Sequence, residues 1–282
     1  MYLELISKSH FETSSVKNLH SMSNRKQPRI FLSVLLVLLC ITAQAQTRII
    51  HVCVALCDND SQGIVPVPKK IGNGNDPNQN LYWGCGYGVR TFFTNAGDWQ
   101  KVATVKNAAP NVLERCVFKH RRYDVILVAD AFRGARIRQC TEKFLDNASG
   151  NCTDTLSVNL TSGKKLINLG DAQLVCYVGH DGLMDFSIDN PPKNKGGIKK
   201  DVIILACVSR SYYREAVKLA GANPLLWTTG LMAPEAYTLK AAVDGWILKE
   251  DGQSIRKRAA EAYNQYQKCG IKGAMNLFAT GW

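Results

Sequence analysis

Four short runs in this chain are apolar almost without interruption: Arg48 to Leu56 (RIIHVCVAL), Asp124 to Ala129 (DVILVA), Gln173 to Val178 (QLVCYV) and Asp201 to Ala206 (DVIILA). Each is rich in β-branched residues and too short for an ordinary buried helix, so each reads as a strand. Strands that do not alternate polar and apolar residues are buried on both faces, the condition of a parallel sheet covered by helices. The expected fold class is α/β, a three-layer α/β/α sandwich around a mostly parallel sheet with right-handed crossovers.

The intervening segments fit that plan. Helices are expected over Leu81 to Asn95, Arg136 to Leu145 and Ser211 to Ala220, the last stopped by Gly221. One more opens at Pro234, and a final long one is capped by Ser254 and ended by Gly270. Trp99 to Val105 and Pro224 to Thr228 read as short strands, and Asn111 as the cap of a short helix. Residues Asp146 to Lys165 are polar, with a short alternating stretch at Leu156 to Leu160, and read as a hairpin outside the main sheet. Gln62 to Gln79 and Asp189 to Lys200 are too long for tight turns and are candidate functional loops.

The N-terminal region has a different character. Arg25, Lys26 and Arg29 precede thirteen mostly apolar residues, Ile30 to Thr42, and then Ala43-Gln44-Ala45. This is the pattern of a secretory signal peptide cleaved before Gln46, with Met22 at the usual starting place for such a leader. The apolar run is shorter than the roughly 20 residues that span a bilayer, so no stable membrane insertion is expected after cleavage. The expected organisation is an N-terminal extension and signal over residues 1–45, and a single domain over 46–282, exported to a periplasm or secreted.

The formal net charge of +12 then has to be divided. Residues 1–45 carry five Lys or Arg and two Asp or Glu, a net +3, which leaves +9 on the rest. The densest clusters, Lys193, Lys195, Lys199 and Lys200, and Arg256-Lys257-Arg258, read as solvated loop and helix-face charges. No nucleic-acid-binding motif accompanies them, and no nucleic-acid partner is expected. Of ten Cys, Cys40 falls in the leader and nine remain, an odd number that leaves at least one thiol unpaired within the chain. There is no C-x-x-C and no paired His, so neither a structural metal nor another cofactor is expected.

Chemistry in such folds gathers at the carboxyl ends of the strands. Two of these ends are unusual: Val175-Cys176-Tyr177-Val178-Gly179-His180-Asp181-Gly182, and Asp201-Val202-Ile203-Ile204-Leu205-Ala206-Cys207 at the mouth of a helix. Adjacent strands would bring His180 and Cys207 together. A Cys at a helix N-terminus beside an imidazole is expected to have its thiolate favoured. A thiolate beside a general acid/base is what covalent acyl transfer needs, and backbone N–H groups near Gly182 could receive an oxyanion.

These two blocks resemble the caspase-like cysteine peptidase clan of caspases, metacaspases, legumains, gingipains and clostripain, in which one hydrophobic strand runs into His-Gly and another into a small residue followed by Cys. The resemblance covers roughly Arg48 to Trp246 in element order and is sharp only around His180 and Cys207. It implies an endopeptidase acting on peptide or protein, with Cys207 as nucleophile, His180 as proton donor to the leaving amine, and the backbone N–H groups of Asp181, Gly182 and Cys207 around the oxyanion. It also places Pro224 to Gly230 (PLLWTTG), with Trp227 and Thr228, beside the substrate pocket. Asp58 and Asp130, acidic groups at strand ends, are further pocket candidates. One departure stands out: Asp181 separates His180 from Gly182, and could shift the oxyanion donor, orient the imidazole or mark lost activity. The competing reading is a catalytically silent exported module that binds a ligand or partner through the two long loops.

Overall fold

The computed structural model describes residues 46–161, 163–194, 196–197 and 199–282. The leader expected in residues 1–45 lies outside them, as does Lys195. The apolar runs form the centre of an eight-stranded sheet. In chain order its strands are β1 (Arg48–Ala55), β2 (Trp99–Ala109), β3 (Val112–His120), β4 (Val125–Phe132), β7 (Leu174–Val178), β8 (Asp201–Leu205), β9 (Asn223–Thr228) and β10 (Phe278–Ala279). Across the sheet the order is β10-β9-β8-β7-β1-β4-β3-β2. The five central strands β4, β1, β7, β8 and β9 pair in parallel, while β2, β3 and β10 run antiparallel at the two sides. The remaining strands, β5 (Thr155–Leu160) and β6 (Gly163–Asn168), form the separate hairpin expected for that polar stretch.

Alternate residues of each central strand feed two cores. Ile50, Val52 and Val54 point to one side, with helices α1 (Val89–Asn95), α5 (Ala236–Ile247) and α6 (Gly252–Gln267). Ile49, Cys53 and Ala55 point to the other, with α2 (Ile137–Ala148) and the pair α3 (Ser209–Tyr212) and α4 (Arg214–Leu219). The fold is thus an α/β three-layer arrangement with a mostly parallel sheet.

Four local expectations are corrected. Residues 112–120 are a strand, not a short helix, because Asn111 adopts a left-handed backbone (φ 65°) that turns the β2–β3 hairpin instead of capping a helix. Helix α1 begins only at Val89. Ahead of it Asn80 accepts the N–H groups of Cys57 and Tyr82 through its side chain and those of Gly84 and Cys85 through its carbonyl, so the chain from 80 to 88 turns rather than winds. The cap of α6 is Asp251, whose carboxylate accepts from Gln253 and Ser254, not Ser254 itself. Finally, α6 ends at Lys268, in a left-handed conformation, and Gly270 opens a further helix, α7 (Ile271–Leu277).

In the basic clusters Lys199 and Lys257 are exposed as expected, whereas Lys200, Arg256 and Arg258 are engaged by other groups. Lys200 is buried and donates to Asn147 Oδ1 and to the Gly170 carbonyl, both at 2.7 Å. Burial lowers its pKa to about 8. Arg256 donates to the carbonyls of Phe278 and Met275, and Arg258 pairs with Glu250. Lys200 is one end of a buried chain of polar groups. Because its ammonium occupies Asn147 Oδ1, Asn147 turns Nδ2 to His51 Nδ1 at 2.7 Å. His51 Nε2 then faces Asp130 Oδ2 at 3.2 Å, and Arg115 holds Asp130 through both carboxylate oxygens at 2.6 and 2.7 Å. These directions fit a neutral imidazole with its proton on Nε2.

Candidate active site

The register of β7 with β8 decides what meets at the sheet edge. Val178 lies opposite Leu205, and His180 and Cys207 each follow two residues later. Parallel neighbours run about 4.8 Å apart, so the two side chains emerge beside one another. Gly179 makes this possible. It has φ +147°, and a Cβ there would meet the Ala55 carbonyl oxygen at 2.8 Å, so the chain can leave β7 close over the end of β1 only without a side chain. Its N–H still donates to Leu205, and Tyr177 Oη donates to the His180 carbonyl at 2.8 Å, fixing the backbone on either side of the turn.

Cys207 is held just as firmly. Val208, the next residue, has φ 51°, a conformation that a β-branched side chain rarely adopts. Backbone strain of this kind concentrates where surrounding structure enforces it, often at functional sites. Here the enforcement is visible: Val208 N–H donates to Gly230, while Ser209 and Thr228 exchange hydrogen bonds at 3.0 and 3.1 Å between the turn and the end of β9. Thr228 Oγ1 also donates to the Ala206 carbonyl. The thiol receives the Met232 N–H at 3.4 Å.

Both residues line one cavity of about 290 Å³. His180 is nearly buried and Cys207 half-buried. No hydrogen bond joins the thiol to the imidazole in this arrangement; each is held by another group. The expected lowering of the thiol pKa is not met. Burial pushes it up, the Met232 N–H offsets part of that, and nearby Asp181 adds to it. The helix behind Cys207 is a single four-residue turn with Val208 as its cap, too short to supply a strong dipole.

The sequence reading missed the partner of the imidazole. His180 Nε2 lies 2.7 Å from Asp185 Oδ2, and the same oxygen accepts the Gly63 N–H at 3.1 Å. Asp185 therefore ties the imidazole to the start of the long loop, and a Cβ on Gly63 would meet its carboxylate at 2.6 Å. The 3₁₀ turn Gly182–Met184 carries Asp185 back over His180. The signal available was an acid five residues beyond the His. With Nε2–H donating to Asp185, Nδ1 is the nitrogen left to exchange a proton.

Asp181 does not orient the imidazole. Its side chain is buried, with Oδ1 accepting the Leu183 N–H at 3.0 Å to cap the 3₁₀ turn and Oδ2 without a hydrogen-bond partner among the described residues. Burial, reinforced by Asp185, raises its pKa to about 7. Gly182 has a steric role, since a Cβ there would meet the Phe186 ring at 2.7 Å. The backbone N–H groups of Asp181, Gly182 and Cys207 find no acceptor among the described residues.

The four residues expected around the substrate pocket lie elsewhere. Asp58 is buried against Gly74 and Gly134 and accepts the Asp60 N–H. Asp130 belongs to the interior network with Arg115 and His51. Trp227 is buried with its ring 5.5 Å from that of Trp282. Thr228 holds the Cys207 turn rather than the cavity. The cavity walls come instead from Gly63 to Val65 of the long loop, from Tyr82 and Met184, and from Leu231, Met232 and Pro234 after β9. Of the two loops singled out, Gln62 to Gln79 thus reaches the site.

All nine described Cys are free thiols, and six are fully or nearly fully inaccessible core residues: Cys53, Cys57, Cys116, Cys140, Cys152 and Cys176. No group of three His, Cys, Asp or Glu among the described residues is placed to hold a metal ion, and no described helix is long and apolar enough to cross a membrane. Comparison with protein-family models, curated proteins and solved structures gives no match.

Proposed function

We propose that the chain is an exported cysteine hydrolase of caspase-like type, an endopeptidase in which Cys207 and His180 act on a peptide bond. The observation that carries this reading is the opening of Cys207 and His180 into one cavity, with Asp185 on the far nitrogen of the imidazole. The raised thiol pKa makes Cys207 a neutral thiol at rest, so its proton moves during the reaction. His180 Nδ1 accepts that proton as Sγ adds to the scissile carbonyl carbon, and the carbonyl oxygen becomes an oxyanion. The free N–H groups at Asp181, Gly182 and Cys207 are candidate donors to it. The C–N bond then breaks, the amine leaves with the proton from His180, and a thioester remains on Cys207. Water gives a proton to His180 as it adds to the thioester, and collapse releases the acid and restores the thiol. Asp185 is a positioning residue throughout.

A Cys207→Ala chain should lose hydrolysis of a mixed peptide library completely, and His180→Ala should lose it by at least about 10²-fold. Undiminished hydrolysis by Cys207→Ala would overturn the proposal. One observation favours a second reading, a binding module with no chemistry: the sulfur is engaged by the Met232 backbone and not by the imidazole. In that case wild type cleaves nothing, and Cys207→Ala binds ligand as well as wild type does.

A further inference from the structure

The cavity has a chemical character that bears on its substrate. It is walled by Ile64 and Val65, by Met184, and by Leu231, Met232 and Pro234. No Lys, Arg, Asp or Glu lines it; beside the thiol the ionisable rings are His180 and the phenol of Tyr82, whose pKa burial pushes further up. Val65 and Leu231 are 86% and 75% exposed, so two large apolar side chains stand in water at a cavity that also holds the candidate nucleophile. That is the arrangement of a surface that is covered when something binds.

From these observations, and resting on the hydrolase reading above, we infer that the residue whose carbonyl Cys207 attacks carries an uncharged apolar side chain such as Leu, Met or Phe. The acyl-side residue is fixed by covalent geometry. Its Cα is bonded to the carbon that Sγ attacks, so its side chain lies within two bonds of the sulfur's target and has the Cys207-lined cavity within reach. The space of about 290 Å³ is about ten times the share of one liquid water, room for a Leu-sized or Phe-sized group. A carboxylate, ammonium or guanidinium placed there would lose its water and find no opposite charge in the walls, the nearest carboxylate, Asp185, being already engaged by His180 and the Gly63 N–H. Two of the walls are Met side chains, which adapt to differently shaped apolar groups. The preference is therefore for apolarity and size rather than for one residue.

The experiment uses peptidyl aminocoumarin amides that differ only at the acyl-side residue, with Leu, Met, Phe, Asp, Asn, Lys and Arg compared on the full chain as expressed. Apolar residues should exceed charged ones in kcat/KM by at least about tenfold, the effect of burying one such side chain. Leu231→Asp, at an exposed rim position where folding is not at stake, should reduce that ratio about tenfold and raise cleavage after Lys and Arg. Preference for Asp, Lys, Arg or Asn with hydrolysis still abolished in Cys207→Ala overturns the inference and leaves the hydrolase reading standing. If no substrate is cleaved, binding of the same peptides to Cys207→Ala decides. Apolar preference that is lost in Cys207→Ala/Leu231→Asp supports the pocket while the chemistry falls, and absent or charge-selective binding overturns both.

Discussion

Asp181→Asn should make this protein more stable at pH 8 and less stable, by about 1–3 kcal/mol, at pH 4. The buried carboxyl titrates near 7 instead of the ordinary 3.8. Because its pKa is raised on folding, the folded chain binds more protons than the unfolded chain between about pH 4 and 7. Stability contributed through this group therefore falls as pH rises across that window, and the full cost is present above about pH 7. A shift of about 3 units corresponds to roughly 4 kcal/mol at most. Asn keeps the acceptor for the Leu183 N–H but places an amide NH₂ where Oδ2 now has no partner, a cost of about 1–3 kcal/mol at every pH. The net expectation is a gain of about 1–3 kcal/mol at pH 8. Urea denaturation of both chains at pH 4, 6 and 8 measures it, and only the difference between them matters because all other groups titrate in both. The same change removes a negative charge near Cys207, so the thiol should react with iodoacetamide faster above pH 7. Parallel stability curves from pH 4 to 8, or a wild type that gains on the variant as pH rises, would refute the reasoning.

Three other outcomes follow from the geometry. Asp185→Asn should lower kcat on the order of 10²-fold with little change in KM and an altered pH profile, because the His180 Nε2–H loses its carboxylate acceptor; steady-state kinetics from pH 5 to 9 reads it. Asp130→Ala leaves Arg115 buried without its partner and should cost about 3–5 kcal/mol in urea denaturation. The same carboxylate, held down to about pKa 2 mainly by Arg115 and His51 against the effect of burial, contributes stability above its ordinary 3.8 that is lost as pH falls toward 2. Val208→Gly relieves the left-handed strain and should raise stability by about 1 kcal/mol in thermal unfolding, while hydrolysis is kept because the Val208–Gly230 and Ser209–Thr228 hydrogen bonds still hold the Cys207 turn.

What could be read from the sequence divides along physical lines. The central strands were legible because burial on both faces leaves runs such as VILVA and VIILA with no polar interruption. The same logic pointed to the residues just beyond them, His180 and Cys207, as candidates for chemistry. Strand β3 escaped because VLERCVFKH carries Glu114 and Arg115 inward, where Glu114 meets Arg90 and Trp83, and Arg115 meets Asp130. Buried ion pairs erase the alternation that would have marked a strand. Asp185 escaped because its role depends on a 3₁₀ turn that folds the chain back onto His180, and nothing local in LMDFS announces that return. Thr228, a pocket candidate from its place at the end of an apolar strand, instead fastens the turn that presents Cys207, a distinction that only the neighbouring Ser209 and Ala206 reveal.

The most direct test of the account is where a substrate-like electrophile forms its bond. A peptidyl acyloxymethyl ketone ending in Leu, followed by intact mass and peptide mapping, should give one adduct per chain, on Cys207, and almost none in His180→Ala over the same time. Among the described residues Cys85 and Cys269 are the other thiols that are not buried, and Cys269 is the most exposed. An adduct spread over those two according to exposure, or a Cys207 adduct indifferent to His180, would contradict the account.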